Sequence, residues 1–206
     1  MNLPLIPFGK PRGERADAVR NREHLLAVAR EILAEQGAER ITMDGLAERA
    51  GLGKGTVFRR FGTRAGIFRA LLESDDLAFQ AEVMQGVPPL GPGADPQQRL
   101  IAYGRARTSF LFDHLAITRA TLERNGPVPA AGMEFTRIHI RMLLSQAELG
   151  IADIDNLAVQ LTTALEGPLL LALYIPPPAT ARRTGSLEGS WQILIERLCR
   201  PDPSPA

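Results

Sequence analysis

Cysteine is nearly absent from this chain of 206 residues, in which Cys199 is the only one. A single cysteine excludes an intramolecular disulfide and a zinc site built on several cysteines, and it is typical of a protein that works in the reducing cytoplasm. The three histidines, His24, His114 and His139, fall on different predicted helices without the spacing of metal ligands. We therefore expect no metal and no other cofactor.

Long apolar runs and catalytic motifs are also lacking. No stretch approaches the roughly 20 uninterrupted apolar residues that a membrane-spanning helix needs, since the richest window, 157–175, contains polar residues, glycine and proline. The first ten residues place their positive charge after a short apolar run, whereas a secretory signal peptide places it before. Glycine-rich phosphate loops and the serine turn of hydrolases are missing. We expect a cytoplasmic protein that is not an enzyme and does not contact the membrane.

The net charge of +1 conceals a difference between the two ends of the chain. Residues 1–72 contain 13 Lys and Arg against 8 Asp and Glu, a formal charge of +5. Residues 73–206 contain 11 basic residues against 15 acidic ones, a formal charge of −4. A basic front and an acidic rear indicate two parts with different tasks.

Nearly all of the sequence is predicted to be helical, because Ala, Leu, Glu and Arg dominate and the alternation typical of strands is absent. Helices are expected at about 17–36, 42–51, 54–61, 63–85, 96–113, 114–124, 133–149, 155–174 and 187–200. Thr42 and Thr63 are expected to be the N-caps of the second and the fourth of these helices. The first 16 residues are expected to form a flexible basic arm. The pattern predicts an all-α protein with a first helical domain at 17–62 and a larger one at 63–206.

A helical hairpin at residues 42–61 has the most specific pattern of the chain. Ala47 is small enough for a crossing helix to come close, and Gly51 can take the left-handed conformation that turns the chain. Val57 and Phe61 lie one turn apart and can pack the second helix on the first. This spacing is typical of a helix-turn-helix.

The second helix of the hairpin and the residues after it are cationic. The segment from Leu52 to Leu72 has no acidic residue and five basic ones, which are Lys54, Arg59, Arg60, Arg64 and Arg69. Positive charge concentrated on a compact hairpin indicates contact with a phosphate polymer, and therefore DNA binding. The alternative is a charged face that contacts only solvent.

The segment ITMDGLAERAGLGKGTVFRRFGTRAGIF resembles the N-terminal domain of the TetR family of transcriptional regulators. The residues that match the family pattern outright are Thr42, Ala47, Ala50, Gly51, Gly55, Thr56 and Phe61, and the near-equivalents are Leu46, Leu52, Phe58, Arg64 and Ile67. Gly53 replaces a usual serine, and Phe58 replaces a usual tyrosine. The resemblance implies a three-helix helix-turn-helix DNA-binding domain followed by a helical ligand-binding and dimerisation domain.

Residue by residue, the resemblance implies DNA contacts from Thr42, Lys54, Gly55, Thr56, Phe58, Arg59, Arg60 and Arg64. Among these, Thr42, Thr56 and Arg64 lie near helix starts and are expected to bind phosphates. Lys54, Gly55 and Arg59 are expected to contact base edges in the major groove, where guanine is the usual partner of a bidentate arginine.

The N-terminal arm carries three further basic residues, Lys10, Arg12 and Arg15. Two interpretations are open for them. They either reach an adjacent minor groove or the DNA backbone, or they belong to a disordered tail without specific contacts.

The rear domain has polar side chains on otherwise apolar helix faces. An α-helix turns by about 100° per residue, and this rotation predicts that Tyr103, Arg107 and His114 lie on the apolar face of their helix. Arg99 is expected to point away from that face. A buried arginine is costly unless it is paired. Arg107 therefore either pairs with a carboxylate such as Glu166 or lines a cavity that binds an anionic or polar ligand.

A candidate site for an unknown small-molecule effector follows from these faces, and its residues are Tyr103, Arg107, Phe110, His114, Phe135, His139, Met142 and Glu166. His139 is alternatively a hydrogen-bonded core histidine. Phe110, Phe135 and Met142 are alternatively plain core, and the sequence assigns Trp191 to no single role.

The last two predicted helices, 155–174 and 187–200, have apolar surfaces suited to association, and Pro168 is expected to kink the first of them. In the resembled family these helices form a four-helix dimer interface. A homodimer with two-fold symmetry would place two recognition helices about one DNA turn, or about 34–36 Å, apart on a near-palindromic operator.

The resemblance implies a sequence-specific transcriptional regulator, most simply a repressor that a ligand releases from its operator. One rival is an architectural DNA-binding protein without an effector. The other rival is an enzyme whose active site would contain Arg107, His114, His139 and Glu166. The sequence shows no arrangement of nucleophile and base that supports such an enzyme.

Overall fold

The computed structural model describes residues 12–122, 132–174 and 184–200, with side chains from residue 17 onward. Within these ranges it has nine α-helices and no β-strand, which confirms the all-α fold class. The helices are α1 (Arg12–Gln36), α2 (Met43–Arg49), α3 (Lys54–Phe61), α4 (Arg64–Gln85), α5 (Pro96–Asp113), α6 (Leu115–Thr121), α7 (Met133–Gln146), α8 (Ile154–Tyr174) and α9 (Thr184–Leu198). A 3-10 turn at Ala38–Arg40 precedes α2.

Helix starts in the front part follow their predicted caps. The Thr42 hydroxyl accepts a hydrogen bond from the Gly45 N–H at 3.0 Å, at the start of α2. The Thr63 hydroxyl accepts one from the Gly66 N–H at 3.1 Å, at the start of α4. Gly51 has φ +63°, the left-handed conformation that a side chain would oppose, and it turns the chain between α2 and α3.

Three helix ends differ from the prediction. Helix α1 begins at Arg12 rather than Asp17, so that part of the expected arm is helical, whereas residues 1–11 lie outside the described part of the chain. Helix α7 stops at Gln146 because Glu148 takes the left-handed conformation, with φ 48°. Helix α9 starts earlier than expected, at Thr184. The expected end of the sixth helix at Arg124 is not among the described residues.

The chain divides into two compact units, Met1–Leu71 and Leu72–Ala206. The division falls inside α4, later than the predicted boundary after residue 62, because the first turns of α4 contribute Ile67 and Phe68 to the buried set of the first unit. The rest of that set comes from α1 to α3 and the turns between them, and it includes Leu25, Ala29, Ile41, Leu46, Val57 and Phe61.

In the second unit, α5 is the central helix, since α7, α8 and α9 all contact it. Its buried face carries Leu100, Tyr103 and Arg107. The apolar core around α5 is made by Phe79, Val83, Ile140, Leu143, Leu144, Leu161, Leu165, Trp191 and Ile195.

Helix α8 is long and apolar enough to cross a membrane, judged by length and composition only. This is weak support for a membrane span, because a core helix of a soluble protein passes the same test. Seven of its residues are buried in this chain, including Thr162 and the charged Glu166. Packing inside the second unit therefore accounts for only part of its apolar character, since 39% of the apolar window is buried.

Candidate functional site

Helix α3 presents a charged face to solvent and an apolar face to its own unit. Val57 and Phe61 are buried, which fixes the rotation of the helix on α2. Lys54, Gly55, Phe58, Arg59 and Arg60 lie on the exposed side, and half of the Phe58 surface is accessible. An apolar ring in the middle of an exposed cationic helix face is suited to a partner that offers both phosphates and apolar base edges.

The basic side chains of α3 are held only by weak surface contacts. Lys54 forms an exposed ion pair with Asp44 at 3.0 Å between Nζ and a carboxylate oxygen. Arg59 donates from Nε to the Gly55 carbonyl at 3.1 Å, within its own helix. Exposed pairs of this kind contribute about 0–1 kcal/mol, so that a phosphate can replace them at little cost.

Arg60 and Arg64 have a second role inside the first unit. Arg60 donates to the Ala18 carbonyl of α1 at 2.8 Å. Arg64, half-buried over the Phe68 ring, donates from Nε to the Ile41 carbonyl and from Nη2 to the Ala38 carbonyl, both at 2.7 Å. Arg64 therefore links α4 to the turn before α2, and among the described residues its Nη1 has no hydrogen-bond acceptor.

Gly55 has a conformation and surroundings that do not require a glycine. Its φ is not positive, and a Cβ at this position would meet no atom of the described chain within 4 Å. Glycine in a helix costs about 0.5–1 kcal/mol relative to alanine. Neither backbone conformation nor packing among the described residues therefore explains the absence of a side chain at this exposed site.

The second unit contains a buried ion-pair cluster of Asp76, Arg107 and Glu166. Arg107 is 1% exposed and donates from Nε to Glu166 at 2.8 Å and from Nη1 to Asp76 at 2.6 Å. The predicted pair of Arg107 with Glu166 is thus confirmed, and Asp76 of α4 is a second partner that the sequence did not indicate. Burial alone lowers the pKa of Arg107, but the charge and hydrogen bond of Glu166, with Tyr103 and Asp76, raise it overall.

A hydrogen-bond chain extends from this cluster to α7. The Thr136 hydroxyl lies 3.1 Å from Oε1 of Glu166 and accepts a hydrogen bond from the Tyr103 hydroxyl at 2.8 Å. Burial raises the pKa of Tyr103, and the hydroxyl therefore stays protonated and remains a donor. Thr136 is a second residue of this network that sequence reasoning missed.

His114 is held at the end of α5 by two oxygen acceptors. Its Nδ1 lies 2.7 Å from the Phe110 carbonyl, and its Nε2 lies 3.2 Å from a carboxylate oxygen of Asp75. Each ring nitrogen therefore faces one oxygen acceptor. The ring also stacks on Phe110, with centroids 4.2 Å apart.

His139 lies apart from these charges, among aromatic rings. It is buried between Tyr103 and Phe135, and burial, followed by the charge of Arg99, lowers its pKa to about 4. Nε2 of His139 and Nε of Arg99 are the buried side-chain polar atoms of the described residues that have no hydrogen-bond partner. The prediction that Arg99 points away from the core is wrong, because the aliphatic stem of an arginine can cover apolar surface.

A small cavity of about 30 Å³ adjoins the ion-pair cluster. Four of the predicted ligand residues line it, which are Arg107, Phe110, His114 and Glu166. The other four, Tyr103, Phe135, His139 and Met142, lie in or against the neighbouring apolar core instead. The lining residues that the sequence did not indicate are Leu72, Asp76, Leu111, Thr118, Met133, Leu169 and Leu170.

Comparison with known proteins identifies the front part. Residues 25–71 match the family model of bacterial regulatory proteins of the tetR family. Over 72 residues, 35% of this chain and 35% of the relative, the sequence is 38% identical to the DNA-binding transcriptional repressor TetR of Mycobacteroides abscessus. It is 30% identical to an HTH-type transcriptional regulator of Staphylococcus aureus over 71 residues, 34% of this chain and 38% of that protein. The match thus spans about a third of the length of these relatives.

Solved structures extend the similarity to the whole fold. A TetR-family transcriptional regulator from Pectobacterium atrosepticum superimposes with a TM-score of 0.73 over 94% of this chain and 100% of that chain, at 20% identity. The SmeT–triclosan complex gives a TM-score of 0.54 over 91% of this chain and 98% of that chain, at 20% identity. At these identities the likeness concerns the fold. Residues 25–71 thus match the family model of bacterial regulatory proteins of the tetR family, and the fold is similar to that of solved TetR-family regulators.

Proposed function

We propose that this chain is a cytoplasmic transcriptional repressor that binds double-stranded DNA as a homodimer and is released by a small molecule. The observation that carries the proposal is the exposed face of α3, where Lys54, Arg59 and Arg60 surround Phe58 on a helix fixed by a buried opposite face. Exposed basic side chains on a helix with a fixed orientation can enter a major groove and bind there.

In the proposed complex the side chains divide into two groups. Lys54 and Arg59 contact base edges, with the bare backbone of Gly55 allowing close approach. The phosphate contacts come from Thr42, Thr56, Arg60 and Arg64, whereas Phe58, which has no hydrogen-bond donor, makes an apolar contact with the DNA. Among these, the Arg64 contact is made through Nη1, since its other donors hold the Ile41 and Ala38 carbonyls.

Homodimerisation is proposed through α8 and α9. Both helices bury one side in the second unit and leave large apolar side chains exposed, which are Val159, Leu170, Leu171, Tyr174, Ile193 and Leu194. Apolar surface on this scale in a single chain is typical of an interaction site. A two-fold pair would read a near-palindromic operator.

Ligand release is proposed to act through α4. This helix contributes Arg64 to the first unit and Asp76 to the buried cluster of the second, so that a ligand at the cluster contacts the helix that also ends the DNA-binding unit. The ligand need only favour a conformer in which the two reading helices no longer match the half-sites. That a related fold is solved with triclosan supports a small-molecule effector.

The proposal is tested by fluorescence anisotropy with labelled duplexes tiled across the DNA upstream of the gene, against a random duplex of equal length. We expect one fragment to bind preferentially. Arg59→Ala should reduce this preference. Arg60→Ala should weaken binding to both duplexes, and it should reduce by about one unit the slope of the logarithm of the binding constant against the logarithm of the salt concentration. Arg137→Ala, which removes an exposed arginine paired with Glu134 on α7, is the matched control and should change neither.

The rival functions give different results in the same assay. An architectural protein would bind all fragments with similar affinity, and an enzyme of the second unit would bind none. Either result would overturn the proposal. The choice between repression and activation requires a reporter gene placed behind the preferred fragment, whose expression should rise when the protein is removed.

A further inference from the structure

Lys54 and Asp44 form an ion pair between the starts of α3 and α2. Nζ of Lys54, the first residue of α3, lies 3.0 Å from a carboxylate oxygen of Asp44 in the first turn of α2. The two side chains are 69% and 63% exposed, so a partner can reach both of them. The helix-turn-helix thus presents a charged hydrogen-bond donor directly beside a charged acceptor.

The position of this pair brings its carboxylate to the bases in the proposed complex. In a helix-turn-helix, the N-terminal residues of the second helix contact base edges in the major groove. Lys54 occupies this position in α3, and Asp44 lies within hydrogen-bond distance of its ammonium group. A lysine that enters the groove here therefore brings an acidic side chain with it.

A carboxylate at this surface needs a donor, because the phosphates of DNA repel it. Among the described residues, Asp44 is the acidic residue that pairs with α3, whereas Glu31 and Glu35 pair with Arg49 of α2. The donors that a major groove offers to a carboxylate are the amino groups of cytosine and adenine. Asp44 therefore disfavours every register in which no amino group faces it, and such repulsion is a source of specificity.

The two side chains together match the major-groove edge of a G·C pair. Guanine presents two neighbouring acceptors, N7 and O6, and cytosine presents its N4 amino group next to them. The ammonium group of Lys54 can donate to the guanine acceptors while the carboxylate of Asp44 accepts from cytosine N4. An A·T pair has its amino group between two separate acceptors, so the lysine would meet no neighbouring pair of acceptors.

We propose that Asp44 and Lys54 read one G·C base pair of the operator together, and that Asp44 is a specificity-determining residue which accepts a hydrogen bond from cytosine N4. The inference rests on the proposed DNA binding and names a base pair that the front unit recognises. It adds an acidic residue of α2 to a reading surface otherwise made by α3.

The first test replaces each base pair of the preferred duplex in turn and measures the affinity by fluorescence anisotropy. The pair read by Lys54 is the one at which Lys54→Ala no longer discriminates between bases. We expect a G·C pair at this place, and its change to A·T should weaken wild-type binding by at least about fivefold. A preference for A·T at this pair would overturn the proposal.

Inosine in place of the guanine is the control on the DNA side. Inosine keeps O6, N7 and the pairing with cytosine, and it lacks only the amino group that guanine shows in the minor groove. The affinity of the wild type for this duplex should therefore stay within about twofold. A loss as large as that caused by A·T would place the recognition in the minor groove and overturn the proposal.

The second test removes the carboxylate. Asp44→Asn keeps the size of the side chain, and Asp44→Ala offers neither donor nor acceptor. Both should reduce the ratio of affinities for the G·C and A·T duplexes by at least about fivefold. The unfolding temperature should change little, because an exposed ion pair contributes little to stability. A ratio that both variants retain would overturn the proposal.

Glu48→Gln is the matched control on the protein side. It removes an exposed carboxylate from the same helix, one turn after Asp44, and no basic residue of α3 pairs with Glu48 among the described residues. The ratio of affinities cancels general electrostatic effects and should stay within about twofold in this variant. An equal loss of preference in Glu48→Gln and Asp44→Asn would attribute the effect to net charge and overturn the proposal.

The wild-type results distinguish failure of this inference from failure of the proposed function. Equal binding of the wild type to all duplexes contradicts the sequence-specific repressor, and the reading of a G·C pair with it. One preferred fragment whose G·C preference survives in both Asp44 variants contradicts the role of Asp44 alone.

Discussion

The indole of Trp191 lies directly on Gly104, with its Nε1 donating to the Leu100 carbonyl at 2.8 Å. A Cβ at residue 104 would come within 3 Å of three atoms of the indole. Glycine at this position of α5 therefore allows α9 to approach closely. The contact joins residues 87 positions apart, and it fixes α9 on the central helix of the second unit.

Gly104→Ala should destabilise the protein by about 1–3 kcal/mol, because the methyl group overpacks a site that is already filled. Gly189→Ala is the matched control, since it changes a glycine of α9 whose Cβ would meet nothing within 4 Å. That change should be neutral or stabilising by up to about 1 kcal/mol, as alanine favours helix. Urea unfolding measures both. Equal effects of the two substitutions would contradict a steric role of Gly104.

Arg107→Met should destabilise the second unit by about 3–5 kcal/mol, because Asp76 and Glu166 would be left buried without a counter-charge. The triple variant Arg107→Met, Asp76→Asn, Glu166→Gln removes all three charges and should recover most of the loss. Urea unfolding followed by circular dichroism gives both values. A triple variant as unstable as the single one would attribute the loss to packing rather than to charge.

Part of this network could be predicted from the sequence, and part could not. Arg107 and Glu166 each interrupt an apolar helix face, so that periodicity predicts either a buried pair or a polar cavity, and the structure shows the pair. Asp76 gives no such signal, because the charged residues around it on α4 hide its buried orientation. The pairing of Asp76 with Arg107 can be identified only when the rotation of α4 about its axis is known. The hydrophobic pattern of α4 does not define that rotation well.

The same distinction applies to the front unit and to the contact of Trp191 with Gly104. Thr42, Gly51 and Thr63 act within a few residues of their own position, and the sequence therefore predicts their cap and turn roles correctly. The hydrogen bonds of Arg64 to carbonyls before α2, by contrast, depend on tertiary packing, as does the position of Trp191. The sequence consequently predicts that Arg64 contacts DNA, but it does not predict the hydrogen bonds of Arg64 within the first unit.

His139 should make stability fall as the pH is lowered from about 6.5 to about 4. The unfolded-state pKa of histidine is about 6.5, whereas burial and the charge of Arg99 lower the pKa of His139 to about 4 in the folded chain. Between these values the unfolded state binds a proton that the folded state does not, so acid favours unfolding. Above pH 6.5 neither state is protonated, and the effect disappears.

The measurement compares the wild type with His139→Phe, which keeps a ring next to Phe135 and cannot titrate. Between pH 7 and pH 5 the wild type should lose about 1–2 kcal/mol more stability to urea than the variant does. Other titrating groups cancel because both proteins contain them. Identical losses in the two proteins would contradict the burial of a neutral His139.

Gly55→Ala should separate stability from DNA binding. Because a Cβ at this site meets no atom of the chain within 4 Å, alanine should stabilise α3 by up to about 1 kcal/mol. The same methyl group occupies the exposed surface proposed to meet the DNA, and it should weaken specific binding in the anisotropy assay. Arg137→Ala on α7, outside the proposed DNA and dimer surfaces, should leave DNA affinity unchanged. Unchanged DNA binding by the Gly55→Ala variant would show that residue 55 does not contact the DNA.

Leu171→Glu should dissociate the proposed dimer, because it places a charge in the exposed apolar surface of α8, where Leu171 is 64% exposed in the single chain. Ile138→Glu changes a residue of α7 that is 52% exposed and lies outside this surface, so it should remain dimeric. Sedimentation equilibrium distinguishes the two states. A monomer binds each half-site independently, without the gain in affinity that comes from binding both half-sites together. The monomeric variant should therefore lose most of its affinity for a palindrome and keep its affinity for a single half-site. A dimeric Leu171→Glu would place the two-fold contact elsewhere on the chain.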